Sequence, residues 1–258
     1  MKSIKRLVTI AAALVIGIAA GATAQARTLE QIKADGKIIV ATEGAYAPFN
    51  YYRGGRLIGF EVELAEAVAK KMGLKIEWKA VAFDSILVGL RQDRWDLAMA
   101  SFGITDERAK AVTFTNPQYC SGGVIVSKDA AILTAKALAG KVVAVQTGTT
   151  YMDNVKKIPG VKDVKNFPQN SDAQSALLAG RVDAWVTDRF TVKSALEVNP
   201  HSGLKLGDTL FVEKIAGAVK KGNLPLAAAI NRAVSDLMAD GTYKILSQKY
   251  FKEDIRCH

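Results

Sequence analysis

The chain has 258 residues, 49% of them hydrophobic and 23% charged, a balance that can bury a large core and excludes a disordered or collagen-like protein. Two cysteines in this length exclude a disulfide-dense miniprotein. The formal net charge of +10 raises nucleic acid as a partner, a reading that the first 26 residues remove.

Lys2, Lys5 and Arg6 precede the apolar run from Leu7 to Ala20, and Ala24-Gln25-Ala26 supplies small residues at the spacing a signal peptidase reads. Together these parts make a secretory signal peptide over residues 1–26, with an apolar run short for a membrane span. No cysteine lies near the cleavage point, so no lipid anchor is expected. The segment holds three basic and no acidic residues, which leaves +7 on residues 27–258, scattered in pairs such as Lys70-Lys71 and Lys156-Lys157. The expectation is a soluble periplasmic protein with no nucleic-acid partner.

From there β-branched runs alternate with amphipathic stretches, the pattern of an α/β fold with mainly parallel strands. Residues 37–42 read as a buried strand. A helix follows over 60–72: Phe60, Leu64 and Val68 recur four apart, Glu66 and Lys70 are spaced to pair, and Gly73 closes it. Residues 74–81 form a strand, Asp84 caps a helix over 85–92, 96–100 is a further strand, and Thr105 before Asp106 and Glu107 starts another helix. Gly122-Gly123 opens a strand over 124–127. A second set repeats the pattern, with a strand at 141–146, a helix from Thr150, a helix at 172–179, a strand at 183–187 and a helix at 190–198. After a strand-like run at 216–220, Pro225 opens a helix over 226–238, and Asp240-Gly241 separates it from a last helix at 242–250. Crossings near 124–128 and 215–221 would join the two sets around a hinged cleft, with ligand at the carboxyl ends of the strands.

Five blocks follow one another in order along the chain: Thr42-Glu43-Gly44-Ala45-Tyr46-Ala47-Pro48-Phe49, Gly59-Phe60-Glu61-Val62-Glu63-Leu64, Ile104-Thr105-Asp106-Glu107-Arg108, Gly140-Lys141-Val142-Val143-Ala144-Val145-Gln146-Thr147-Gly148-Thr149 and Asp240-Gly241-Thr242-Tyr243. They resemble the signature blocks of periplasmic polar amino-acid-binding proteins, the family 3 solute receptors of ABC importers. That group includes lysine/arginine/ornithine-, histidine- and glutamine-binding proteins. The resemblance implies a type II periplasmic-binding-protein fold, with lobe 1 over residues 27–125, lobe 2 over 126–217 and a returning segment of lobe 1 over 218–258. It also implies an amino-acid ligand, a monomer, and as partner a membrane-embedded permease with its cytoplasmic ATPase.

A free amino acid is a zwitterion with a variable tail. Guanidinium pairs bidentately with a carboxylate as Lys cannot, and the resemblance gives that role to Arg108, with Gly103, Thr149 and Thr150 beside it. As a plain sequence feature, Arg108 is also a surface residue in a first helical turn, where the dipole mildly disfavours a cation. Thr147-Gly148-Thr149-Thr150 is a small-residue turn whose N–H groups suit an anion or simply a well-capped helix. For the ammonium, the resemblance points to Asp188 and to the backbone at Ser101 and Gly103, and Asp188 equally suits a helix cap. Relatives commonly carry Ser or Thr where this chain has Gly103, so one hydroxyl is missing. Tyr46 and Phe83 match the aromatic positions beside the tail, where cation–π contact is worth roughly 0.5–2 kcal/mol, and Phe83 equally suits a core. Glu43 and Gln146 favour a tail that carries donors, and a buried unpaired carboxylate disfavours an acidic one. Arginine, lysine or ornithine is the expected ligand, with glutamine or histidine next.

An enzyme on the same scaffold is the competing expectation, because cyclohexadienyl dehydratase resembles these receptors and Glu43 would serve as its general acid. Against catalysis, His201 and His258 are the only histidines, and the sequence shows neither a nucleophile–base pair nor a metal cluster, so no catalytic residue, metal or cofactor is expected. A sensor domain is set aside on the expectation that no anchor or kinase follows His258. Cys120 and Cys257 enter an oxidising compartment, and the resemblance assigns both to lobe 1. Sequence leaves a bond between them and two separate thiols equally open, since the Cα separation decides.

Overall fold

Buried β-branched runs form the centre of each half of the molecule. The computed structural model describes residues 26–257; residues 1–25, with nearly all of the expected signal peptide, and His258 lie outside them. The first half begins with α1 (Leu29–Asp35) and β1 (Lys37–Thr42) and passes through a small meander of β2 (Ala45–Tyr46), β3 (Asn50–Arg53) and β4 (Arg56–Ile58). It continues with α2 (Phe60–Lys71), β5 (Lys75–Ala80), α3 (Phe83–Arg91), β6 (Leu97–Ala98), α4 (Asp106–Ala111) and β7 (Val112–Phe114). The second half holds β8 (Tyr119–Ser127), β9 (Val142–Gln146), α5 (Thr150–Val155), β10 (Asp163–Phe167), α6 (Asn170–Leu178), β11 (Ala184–Asp188), α7 (Arg189–Val198) and β12 (Lys205–Ile215). The chain then returns through β13 (Ala218–Lys220), α8 (Leu224–Ala239) and α9 (Thr242–Phe251).

Two five-stranded sheets result, in the orders β5-β1-β6-β13-β7 and β10-β9-β11-β8-β12. Their β–α–β portions are parallel, β1 with β5 and β6, and β9 with β10 and β11. Strands next to the crossings run antiparallel: β13 in the first sheet, β8 and β12 in the second. The four-residue spacing of Phe60, Leu64 and Val68 buries all three in one core with Ile38 and Val40 of β1. Each such side chain taken from water contributes about 1.5–3 kcal/mol.

Several details differ from the sequence expectations. Helix α3 starts at Phe83 with Ala82 at its N-cap, so Asp84 sits in the first turn and favours the helix dipole instead of capping. Gly122 and Gly123 lie inside β8 and do not open it. A Cβ on Gly122 would sit 2.3 Å from the Phe211 carbonyl oxygen, and one on Gly123 would sit 2.5 Å from the Phe211 ring, so these glycines let β12 approach closely. The chain therefore leaves the first sheet at residues 115–118, earlier than 124–128. The meander and β10 also went unforeseen: β10 (DVKNF) is a largely polar strand at the end of its sheet.

The two crossings run side by side. Gln118 N–H donates to the Ile215 carbonyl at 2.7 Å, and Thr115 N–H donates to that of Gly217 at 2.8 Å. Just beyond the first crossing, Cys120 and Cys257 are joined in a disulfide with Cα atoms 4.8 Å apart, which resolves the alternative the sequence left open. The Cys120 N–H also donates to the Ile255 carbonyl at 3.0 Å, so the C-terminal segment is pinned where the crossing ends.

Candidate functional site

Between the halves lies a narrow cavity, lined by Glu43, Tyr46, Phe83, Ser101 and Arg108 from the first half and Gln146, Thr149, Thr150, Tyr151 and Glu213 from the second. Its free space is about that of one water molecule, so the two halves close tightly on this lining. Its first-half wall is braced from beneath by Glu61, a buried carboxylate on α2. Glu61 accepts hydrogen bonds from Asn50 Nδ2 at 2.8 Å, the Ser101 N–H at 2.7 Å, Ser101 Oγ at 3.1 Å and the Tyr119 hydroxyl at 3.0 Å. Asn50 Oδ1 in turn accepts from the Gly44 N–H at 2.9 Å, so one acid fixes both the 43–50 loop and the 101–103 loop. Burial raises the Glu61 pKa, against those four donors.

Arg108 stands on α4, whose Thr105 cap accepts from the Arg108 N–H at 3.1 Å. Its guanidinium donates to the Gly103 carbonyl and, across the cleft, to the Gly148 carbonyl, both at 2.9 Å. It lies 5.2 Å from the Phe102 ring centre and 5.8 Å from that of Phe83, rings that stack on each other at 4.6 Å. Phe83 therefore serves as core and as a platform for the cation. No carboxylate among the described residues comes within ion-pair distance of Arg108, and burial lowers its pKa. A desolvated cation without an ion pair would gain from an arriving anion.

Thr149 caps α5, accepting from the Met152 N–H at 3.3 Å and donating to the Gln146 carbonyl at 2.7 Å. Gln146 Nε2 donates to Glu43 Oε1 across the cleft at 2.6 Å. Tyr46 lies stacked on Phe49 and shares a 3.4 Å hydroxyl contact with Tyr151 of the other half. Burial pushes Glu43 up to about 7, with the Gln146 hydrogen bond opposing.

Asp188 does not line the cavity. It is buried, its Oδ1 accepts from the Phe190 N–H at 2.7 Å and the Thr191 N–H at 3.4 Å, and Ser121 Oγ donates to its Oδ2. The helix-cap alternative thus describes its contacts, and burial pushes its pKa up to about 6. In the lining stands Glu213 of β12, which the sequence reading missed. Its Oε2 accepts from Thr150 Oγ1 at 2.7 Å, and burial pushes its pKa up to about 7. The 101–104 loop brings it there: Gly103 bridges to Ile215 and the Ile104 N–H donates to the Lys214 carbonyl at 2.9 Å. One signal pointed that way. A glycine where relatives carry a hydroxyl leaves room for another polar group.

Two α/β lobes joined by paired crossings around an enclosed, charged cavity define a cleft-type solute receptor. Residues 38–253 match the bacterial extracellular solute-binding proteins, family 3, and the chain belongs to that family. The L-cystine-binding protein TcyJ of Escherichia coli (strain K12) is 33% identical over 250 residues, covering 95% of this chain and 94% of that protein. Among solved structures, an ancestral arginine-binding protein bound to arginine matches with a TM-score of 0.81 at 39% identity, over 84% of this chain and 98% of that chain. The ancestral amino acid-binding protein AncCDT-1, a precursor of cyclohexadienyl dehydratase, matches with a TM-score of 0.81 at 30% identity, over 86% of this chain and 98% of that chain. The fold is that of the type II periplasmic binding proteins.

Proposed function

We propose that this chain binds a basic L-amino acid between its lobes and delivers it to the permease of an ABC importer. Arginine, lysine or ornithine comes first, glutamine or histidine next. The observation that carries this reading is the charge set of the cavity, one guanidinium without an ion pair and two carboxylates, Glu43 and Glu213. A ligand with one carboxylate and two cationic groups balances it. Cystine, which TcyJ is named for, brings two carboxylates to a single guanidinium and fits less well. Arg108 with the N–H groups of Thr149 and Thr150 takes the carboxylate, Tyr46 and Phe83 flank the tail, and Glu43 with Gln146 takes its far end. Export through the segment at 1–26 places a monomeric receptor in the periplasm.

Thermal melting of the exported chain with each of the twenty amino acids, ornithine and citrulline tests this. Ligand at a hundred times its Kd stabilises by about 2.7 kcal/mol, a rise of roughly 5–11 °C for a protein of this size. The basic amino acids should give the largest rise; best stabilisation by an acidic or an apolar one refutes the reading.

The raised pKa values of Glu43 and Glu213 support a second reading, a general acid in a dehydratase. Incubation with prephenate or arogenate separates the two: release of product would replace the receptor reading, and unchanged substrate upholds it.

A further inference from the structure

We propose that Glu61, which never meets the ligand, is a positioning residue for binding: it holds Ser101 in a left-handed backbone conformation and so sets the shape of the cleft wall. The inference rests on the amino-acid reading above and adds to it a residue outside the cavity. Ser101 lines the cavity with φ 55°, whereas Glu61 is absent from the lining and 2% exposed. A left-handed conformation crowds the Cβ of any residue but glycine, so something must hold a serine there. Two other described non-glycine residues have a positive φ. Asp93 follows the end of α3 and Lys252 caps α9, helix ends where this conformation is common. Ser101 follows β6 and ends no helix, so its conformation has another cause.

That cause is the Glu61 carboxylate. Its Oε1 accepts from the Ser101 N–H at 2.7 Å and its Oε2 from Ser101 Oγ at 3.1 Å, so backbone and side chain of one residue are held together. The Tyr119 hydroxyl, 3.0 Å from both Glu61 Oε1 and Ser101 Oγ, closes the ring. Tyr119 opens β8 directly after the first crossing and pairs with Ile215 beside the second, so the ring is anchored at the crossings. Only a carboxylate serves at this point. Oε1 faces the Ser101 N–H and Oε2 faces Asn50 Nδ2 at 2.8 Å, an amide oriented by the Gly44 N–H on its Oδ1. Each oxygen thus has a nitrogen donor that cannot reverse, and a glutamine would set its own NH2 against one of them. Serine fits as well: glycine would reach this conformation unaided, but would leave Glu61 Oε2 and Tyr119 without their hydroxyl partner.

Calorimetry with L-arginine and L-lysine on the exported chain, as a double-mutant cycle of Glu61→Gln and Ser101→Gly, tests this. With serine at 101, Glu61→Gln should weaken binding about 5- to 30-fold, the factor that matches the strain of one left-handed residue. With glycine at 101 the same change should weaken it by no more than about twofold, because glycine needs no holding. A brace that served folding alone would lower the melting temperature in both backgrounds and leave the affinity of the folded protein as it was. Where Glu61→Gln does not fold, single variants at 101 carry the test. Ser101→Ala keeps the crowded Cβ without the hydroxyl hold, so it should bind several-fold more weakly than Ser101→Gly. A loss of affinity equal in the two backgrounds, no loss in either, or, failing the cycle, equal binding by Ser101→Ala and Ser101→Gly overturns the inference and leaves the receptor reading standing. Wild type that binds neither amino acid overturns both.

Discussion

Replacing Arg108 with Met should separate binding from folding. The guanidinium donates to two carbonyls at 2.9 Å, and hydrogen bonds from a charged group contribute about 1.5–3 kcal/mol each. Against this, burying a cation without an ion pair costs several kcal/mol, the same effect that lowers its pKa. These terms nearly cancel, and Met keeps an apolar side chain against the Phe83 and Phe102 rings. The ligand-free melting temperature should therefore move by only a few degrees, at about 2–4 °C per kcal/mol. Binding has no such offset. A ligand carboxylate left desolvated without its partner costs about 2–5 kcal/mol, or roughly 30-fold to several thousand-fold in Kd. Calorimetric titration with L-arginine, beside a melting curve of the free variant, reads both quantities. An affinity within about threefold of wild type would refute the reasoning, because the carboxylate would then lie away from Arg108.

Breaking the Cys120–Cys257 bond opens a loop with a sequence separation of 137, and the variant with both cysteines as Ser should lose about 2–4 kcal/mol, or roughly 4–16 °C in melting temperature. Wild type in reductant should melt like that variant; an unchanged melting temperature in both would count against the constraint. Glu43 and Glu213 are pushed up to about 7 and Asp188 up to about 6, all by burial, so these acids stabilise the fold while protonated. That contribution is whole below their unfolded values near 4 and is lost as pH rises through 6 to 7, so the free protein should melt lower at pH 8 than at pH 5. A cationic ligand favours their ionised forms, so arginine binding near pH 6 should release protons, measurable by titration in buffers of different ionisation enthalpy. Proton uptake would contradict the assignment, and Glu43→Gln should reduce the release.

Periodicity made most of the fold legible. Phe60, Leu64 and Val68 announce the buried face of α2, and the Thr105 and Thr149 caps mark the helix starts that the structure has. What stayed hidden depends on contacts between distant segments. Gly122-Gly123 reads as the opening of a strand until Phe211 is seen pressing on both residues. Residues 205–215 carry no strict alternation because β12 is half exposed and kinked by register shifts, so neither the strand nor Glu213 on it stood out. At the site, the family resemblance pointed to Glu43, Tyr46, Phe83, Ser101, Arg108, Gln146, Thr149 and Thr150, all of which line the cavity, and to Gly103 and Asp188, which are not in its lining. The resemblance gave Asp188 to the ammonium, and its contacts in the structure are those of a helix cap, since one carboxylate suits both.

The contacts across the cleft engage groups that the proposed ligand would compete for. The Arg108 guanidinium reaches the Gly148 carbonyl at 2.9 Å and the Gln146 amide reaches Glu43 at 2.6 Å, both across the cleft. In the proposed mode an amino acid would take Arg108 with its carboxylate and Glu43 with its tail, and so would exchange lobe-to-lobe bonds as well as add them. Only the difference between new and displaced contacts drives closure. Taking a closed fraction from about 1% to 99% needs roughly 5.5 kcal/mol, beyond two neutral hydrogen bonds at about 1 kcal/mol each. Charged contacts at both ends can supply it, and contacts at one end cannot. A short or neutral-tailed amino acid would engage Arg108 and leave the Glu43–Gln146 bond as it was. On the proposed reading, preference for a long, cationic tail would come from what closure requires, and excess enthalpy of closure with arginine over alanine in calorimetric titration would check it.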